Sequence, residues 1–150
     1  MKIIQDSREQ TPWTFPEWVT VQIQKLDAGD YALIDDPNFS IERKSCSDFL
    51  GTISTGWNRF CREIERMKLY VAKLVIVEGD IISFYYTELD GEIISPNHQN
   101  YRLSPKFITK RIAQLSLMGV SILFCHDAEI SSAVAYKILE ERNNDIKRKD

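Results

Sequence analysis

Glu42, Arg43 and Lys44 follow the pair Gly29-Asp30 and precede Asp48, an order of acid, spacer, acid, any residue and lysine. That order suits metal-assisted hydrolysis of a phosphodiester. Such chemistry needs a divalent cation to polarise the phosphate and acidify a water, and hard cations such as Mg²⁺ take carboxylate and carbonyl oxygens. Asp30 and Glu42 are residues of that kind. On a strand, alternation puts Glu42 and Lys44 on one face and the Arg43 side chain on the other, leaving the Arg43 backbone carbonyl to face the metal. A lysine one pleat from the metal is placed to orient or deprotonate the attacking water, or to balance charge developing on the phosphate. Acid-x-Lys triplets also arise by chance in a chain that is 27% charged, so the triplet alone weighs little. Two neighbouring groups add weight. Asp6-Ser7-Arg8-Glu9 ends the apolar run of Ile3 and Ile4, and Gly29-Asp30-Tyr31 ends the alternating run of Val19, Val21 and Ile23. Strand ends are where sites collect in open sheets.

The elements that must position these residues follow from periodicity. Lys2 to Asp6 reads as a short strand broken by Glu9-Gln10-Thr11-Pro12, and Val19 to Leu26 as a half-exposed strand. Tyr31 to Ile34 and Phe39 to Lys44 read as strands joined over the turn residues Asp35-Asp36-Pro37-Asn38. A four-residue turn at 35–38 pairs Ile34 with Phe39 and sets Asp30 opposite Arg43, on the wrong face from Glu42. An odd-length turn or a bulge near Gly29 is therefore predicted. From Ser47 or Asp48 to Tyr70, Phe49, Ile53, Trp57, Phe60, Ile64 and Met67 recur at helical spacing, with a break near Thr55-Gly56. That stripe is core. Off it lie Arg59, Arg62, Arg66 and Lys68, which read as a solvated face or as phosphate-tracking groups, as do Lys106, Lys110 and Arg111.

Leu74-Val75-Ile76-Val77 is a continuous apolar run, typical of a strand buried on both sides. Residues 81–103 suggest a short element followed by a loop containing Asp90-Gly91, Pro96-Asn97 and His98. Ser104-Pro105 opens a helix that stops at Gly119. Val120 to Phe124 reads as another buried strand, Asp127 caps a last helix, and the tail from Lys147 to Asp150 is expected to fray. Antiparallel strands followed by strands alternating with helices imply an α/β domain with a mixed central sheet flanked by helices.

Bulk properties narrow the classes. At 150 residues and 43% apolar content the chain fits one soluble domain with one core. The sequence contains no long apolar run for a membrane span and no signal-peptide pattern. Three scattered cysteines without a C-x-x-C pair indicate neither a zinc site nor a disulfide framework and suit a reducing, cytoplasmic setting. A net charge of −3 argues against a protein that coats nucleic acid by bulk electrostatics, while carboxylates gathered to hold a cation count as negative until metal binds.

In their order and spacing, Asp6-Ser7-Arg8-Glu9, Gly29-Asp30 and Glu42-Arg43-Lys44-Ser45-Cys46-Ser47-Asp48 resemble the nuclease domain of the XPF family of structure-specific endonucleases, within the PD-(D/E)XK group. The likeness continues through Phe49 to Ile53, Arg59-Phe60, Leu74 to Asp80 and Val120 to Asp127. The resemblance implies a restriction-endonuclease-like fold and Mg²⁺- or Mn²⁺-dependent endonuclease action on branched or junction DNA, in a setting of DNA repair and recombination. It assigns Asp30 and Glu42 as metal ligands, with the Arg43 carbonyl beside them and Asp6 holding the metal or its waters. Lys44 assists the water, and Asp48 joins the catalytic set or else caps a helix. Arg8, Arg43, Arg59 and Arg62 are the candidate DNA contacts, and Glu9 pairs with a motif arginine. The expected organisation is a single nuclease domain over residues 1–150, without the helix-hairpin-helix or helicase modules of many relatives, forming a homodimer through its C-terminal helices.

Three rival readings stand beside this one. The chain could be a catalytically silent DNA-binding or scaffold subunit, against which intact Asp30, Glu42 and Lys44 argue, or a metal-dependent nuclease acting on RNA. A metal site at Cys125-His126-Asp127 is the third. Three adjacent strand residues do not face one point, so a buried cysteine and a helix cap suit that triplet better.

Overall fold

The computed structural model describes residues 1–94 and 103–149. Eight strands and four helices are defined among them: β1 Lys2–Asp6, β2 Thr20–Gln24, β3 Tyr31–Leu33, β4 Phe39–Ser45, α1 Cys46–Ile53, α2 Trp57–Arg66, β5 Ala72–Glu78, β6 Thr87–Leu89, β7 Glu92–Ile94, α3 Pro105–Leu117, β8 Val120–Phe124 and α4 Ala128–Lys147. Six strands form one mixed sheet in the order β2-β1-β3-β4-β5-β8, while β6 and β7 make a separate hairpin.

Helices cover both faces, and period-2 alternation decides which residue meets which layer. Ile41 and Ile76 point to the side closed by α4, where they join Ile3, Tyr31, Ala135 and Leu139. Val75 and Val77 point to the opposite side and pack with Phe49, Ile53, Phe60, Ile108 and Leu115 from α1, α2 and α3. The helical stretch after β4 is broken where expected: the N–H of Gly56 bonds the carbonyl of Gly51, and α2 restarts at Trp57. Ser104 caps α3 through the N–H of Phe107, with Pro105 at its first turn, and Asp127 caps α4 through the N–H of Ile130.

Five expectations are corrected. β1 and β2 pair parallel, not antiparallel. The connection over residues 7–19 is long enough for a crossover, and it folds inward to bury Trp13 and Val19. Strand β2 is the sheet edge and exposed along its whole length rather than half-exposed. Strand β8 is the other edge, with Ser121 exposed, so its apolar run is only partly covered. The stretch after residue 80 holds a one-turn 3₁₀ helix, Ile81–Phe84, and the β6–β7 hairpin. Asp90 and Gly91 both have positive φ (51° and 81°), which is the type I′ turn that an Asp-Gly pair favours. Pro96-Asn97 and His98 lie outside the described residues. Helix α4 runs to Lys147, into the tail expected to fray. No helix among the described residues is long and apolar enough to cross a membrane.

Candidate active site

The irregularity required of the Asp30–Glu42 hairpin is present. Tyr31 faces Ile41 and Ala32 faces Ser40, a register that carries Leu33 opposite Phe39 and closes an odd-length connection over residues 34–38. The N–H of Asp30 also bonds the carbonyl of Ile41 at 2.8 Å, so Asp30 and Tyr31 together oppose one residue, the pattern of a bulge. Gly29 makes this bend possible. Its φ is +76°, and a Cβ there would stand 2.5 Å from Ser40 Oγ.

Asp30 and Glu42 thereby face one cleft of about 570 Å³, together with Lys44, Asp48, Arg8 and Arg59. Lys44 Nζ donates to Glu42 Oε1 at 2.6 Å and lies 5.3 Å from the centre of the Phe60 ring, on the same face of β4 as Glu42. Burial, and then the nearby charge of Glu42, push the Asp30 carboxyl up to about 7. Burial likewise raises Glu42, against the opposing pull of Lys44. Both carboxyls are largely withdrawn from water, and each has one close protein partner, the Arg43 N–H at 2.7 Å for Asp30 and Lys44 for Glu42. Asp30 and Glu42 are the residues that would hold a divalent cation, which would offset the cost of their ionisation, and their donors are the hard oxygens that Mg²⁺ and Mn²⁺ take. Among the described residues no group of three or more His, Cys, Asp or Glu side chains is placed to hold a metal.

The other predicted residues divide. Asp6 does not line the cleft. Its carboxylate has no exposed surface and accepts from Arg8 Nε at 2.7 Å, Arg8 Nη2 at 2.9 Å, the Arg8 N–H at 2.8 Å and the Leu26 N–H at 2.7 Å. The Arg8 guanidinium, followed by these N–H groups, holds Asp6 down to about 2 against the effect of its burial. With its oxygens so occupied, Asp6 acts here as a tether for Arg8. Asp48 sits at the rim in a reciprocal cap with Ser45, whose Oγ accepts the Asp48 N–H at 3.1 Å and donates to Asp48 Oδ2 at 2.7 Å. Arg59 is exposed at the cleft, whereas Arg62, one turn along α2, is not among its lining residues.

Arg43 points to the opposite face of β4, as alternation demands, but its guanidinium is not free to grip a ligand. Nε and Nη2 bind Glu78 at 2.7 and 3.1 Å, Nη1 binds Glu9 at 3.0 Å, and Trp13 lies 5.6 Å beneath it. The expected pairing of Glu9 with a motif arginine is thus observed, and the assignment of the Arg43 side chain as a DNA contact is replaced by a structural role. Glu78 is the partner that sequence reasoning missed. Its only local signal is an acid ending the apolar run of β5; its position beside the triplet depends on the parallel register that sets Ser45 against Glu78. After the C-terminal end of β8, Cys125 is buried, Asp127 caps α4, and His126 Nδ1 lies 2.7 Å from Asp80, in keeping with a cap rather than a metal site.

A mixed sheet between helical layers, with two half-buried acids and a lysine meeting beside β4, has the architecture of the restriction-endonuclease-like fold. Residues 5–138 match the ERCC4 domain, and the chain belongs to that family of XPF-type nuclease domains. The fold superposes on XPF from Aeropyrum pernix with a TM-score of 0.70 at 22% identity, covering 95% of this chain and 61% of that one. Against XPF from Aeropyrum pernix in complex with DNA the TM-score is 0.69 at 24% identity, covering 95% of this chain and 65% of that one. The chain therefore spans less than two thirds of either structure's length. No curated protein matches it.

Proposed function

We propose that this domain is a divalent-metal-dependent DNA endonuclease that cuts branched or junction DNA. The observation that carries the reading is the meeting of Asp30, Glu42 and Lys44 in one cleft, with Lys44 Nζ 2.6 Å from Glu42. Asp30 and Glu42 would hold Mg²⁺ or Mn²⁺, with the Arg43 main-chain carbonyl at the same point of β4. When bound, the cation polarises the phosphate and acidifies a water. Lys44, held against Glu42 and 11% exposed, is placed to hand a proton to or from the water at its Nζ. Arg8 and Arg59 line the same cleft and supply positive charge for the phosphates flanking the cut. Asp48 organises the start of α1 through its cap with Ser45, and Asp6 holds Arg8.

DNA rather than RNA is favoured by the family and by a related structure described in complex with DNA. Self-association through α3 and α4 belongs to the same reading: Leu117 at the end of α3 is 90% exposed, Ile130 on α4 is 47% exposed, and an apolar groove flanks α4 beside Trp13, Phe15 and Tyr136. The three free cysteines suit a reducing, cytoplasmic setting.

The test is incubation of the purified protein with flap, fork, Holliday-type and linear duplex DNA and with RNA, with and without Mg²⁺ or Mn²⁺. The expected result is nicking of a branched DNA substrate, abolished in Glu42→Gln and Asp30→Asn while circular dichroism shows a retained fold. Cleavage without metal, or by both variants, overturns the assignment. DNA binding without cleavage of any substrate makes the domain a silent subunit.

A further inference from the structure

A second groove opens on the other side of Arg8. It holds about 540 Å³ and is bounded by Lys25, Asp27, Asn38, Arg66 and Tyr70, where the turn after β2 passes the end of α2. Arg8 lines both this groove and the acid cleft, so the two meet at a single guanidinium. That guanidinium is fixed. Two of its nitrogens are held by Asp6, Nη2 also reaches the Leu26 carbonyl at 3.0 Å, and Nη1 takes no partner among the described residues. Yet 63% of the Arg8 side chain remains exposed. A pinned, exposed arginine has lost its rotamer freedom in folding and not on binding, which is the condition for a preorganised anion contact.

The rest of the groove continues the same chemistry. Lys25 and Arg66 are exposed, and with Arg8 they outnumber the one carboxylate in the lining, Asp27. Tyr70 is half-buried in the wall; burial, then Asp27 and Glu63, raise its hydroxyl, so it stays neutral and uncharged beside the cations. Cations in a groove with an aromatic wall match a single nucleic-acid strand, whose phosphates meet the cations and whose bases have faces to stack.

We propose that this groove holds the unpaired DNA strand that leaves the acid cleft over Arg8, with Lys25 and Arg66 as its phosphate contacts. The proposal rests on the nuclease reading and deepens it: the domain grips a single-stranded tail on one side of the cut, so tailed DNA is preferred to blunt duplex.

The test measures binding by fluorescence anisotropy across a salt series, with Ca²⁺ in place of Mg²⁺, on duplexes with and without a single-stranded tail. The variant is Lys25→Gln with Arg66→Gln, two exposed positions. The wild type is expected to bind the tailed DNA about tenfold more tightly, with a salt slope steeper by about 1.4 for two single-strand phosphate contacts. The variant levels the two substrates. A wild type without this advantage, or a variant that keeps it, overturns the proposal, as does an equal advantage for a tail that is itself duplex. Binding and cleavage fail separately: if no DNA is cut yet the tail advantage is present and removed in the variant, the nuclease reading falls and the strand site stands.

Discussion

The carboxylate of Asp30 accepts the main-chain N–H of Arg43 at 2.7 Å, fastening the acid of the hairpin to the middle of the Glu42-Arg43-Lys44 triplet. This bond orients Asp30 beside Glu42 even though burial and like charge oppose its ionisation. The site is thus held together against its own electrostatics, a common state of affairs where function competes with stability.

Asp30→Asn separates the two. The amide oxygen can still accept from Arg43, but one of the two mutually repelling charges is gone. In the presence of a chelator the variant is expected to be more stable than wild type by about 1 kcal/mol in thermal or urea unfolding, while cleavage falls at least about a hundredfold. A variant that loses stability without metal contradicts the account of an unrelieved carboxylate pair.

The pH dependence has two opposed parts. Asp30 and Glu42 bind protons more tightly in the fold than in the unfolded chain. Their contribution to stability is therefore full below the ordinary carboxylate value and is lost as pH rises through the raised value of about 7 for Asp30. Asp6 runs the other way: its contribution is present above 3.8 and is lost as pH falls through about 2. Metal competes with the protons on the acid pair, so Mn²⁺ affinity is expected to rise as pH rises through neutrality, with protons released on binding. Calorimetric titration in buffers of different ionisation enthalpy reads both. Affinity independent of pH across that range rules out the pair as the ligand bed.

Much of this site is legible along the chain, and what is not has definite causes. The alternation Ile41-Glu42-Arg43-Lys44 admits one assignment of faces, because a strand has a period of two. That same period shows that a regular four-residue turn misplaces Asp30, which is why an irregularity can be required before its form is known. The roles of Asp6 and Glu78 are hidden for a different reason. Asp6 is committed by Leu26 and Arg8 through the turn after β2, and Glu78 meets Arg43 only through the parallel register of β4 with β5. Neither contact leaves a local pattern. The parallel pairing of β1 with β2 depends in turn on where the 7–19 connection buries Trp13, which stacks on Tyr31 at 4.7 Å.

Gly29 tests the hairpin directly. An alanine there must adopt a φ of +76° and place its Cβ 2.5 Å from Ser40 Oγ and 2.7 Å from Ser40 Cβ, so strand and neighbour cannot both stay where they are. Gly29→Ala is expected to destabilise the domain by about 2–4 kcal/mol and to weaken Mn²⁺ binding in whatever fraction remains folded. The double substitution with Ser40→Gly relieves the steric part and leaves the backbone part, so it recovers some of the stability. An alanine variant of wild-type stability and metal affinity removes Gly29 from the account of how Asp30 is aimed.

Lys44 decides between two chemical roles for the third member of the site. Its ammonium neutralises Glu42 at 2.6 Å, yet it is also the group on this face of β4 that can exchange a proton with a water in the cleft. Lys44→Met keeps much of the side chain's length and deletes both roles; cleavage is expected to fall about 10²- to 10⁴-fold. Mn²⁺ should bind this variant more tightly above neutral pH, because no cation then competes for Glu42. Lys44→Arg keeps the charge but not the proton exchange, since a guanidinium stays protonated in proteins. If Lys44 handles a proton, the arginine variant is as inactive as the methionine variant while retaining wild-type metal affinity; wild-type turnover with arginine reduces Lys44 to a counter-charge for Glu42.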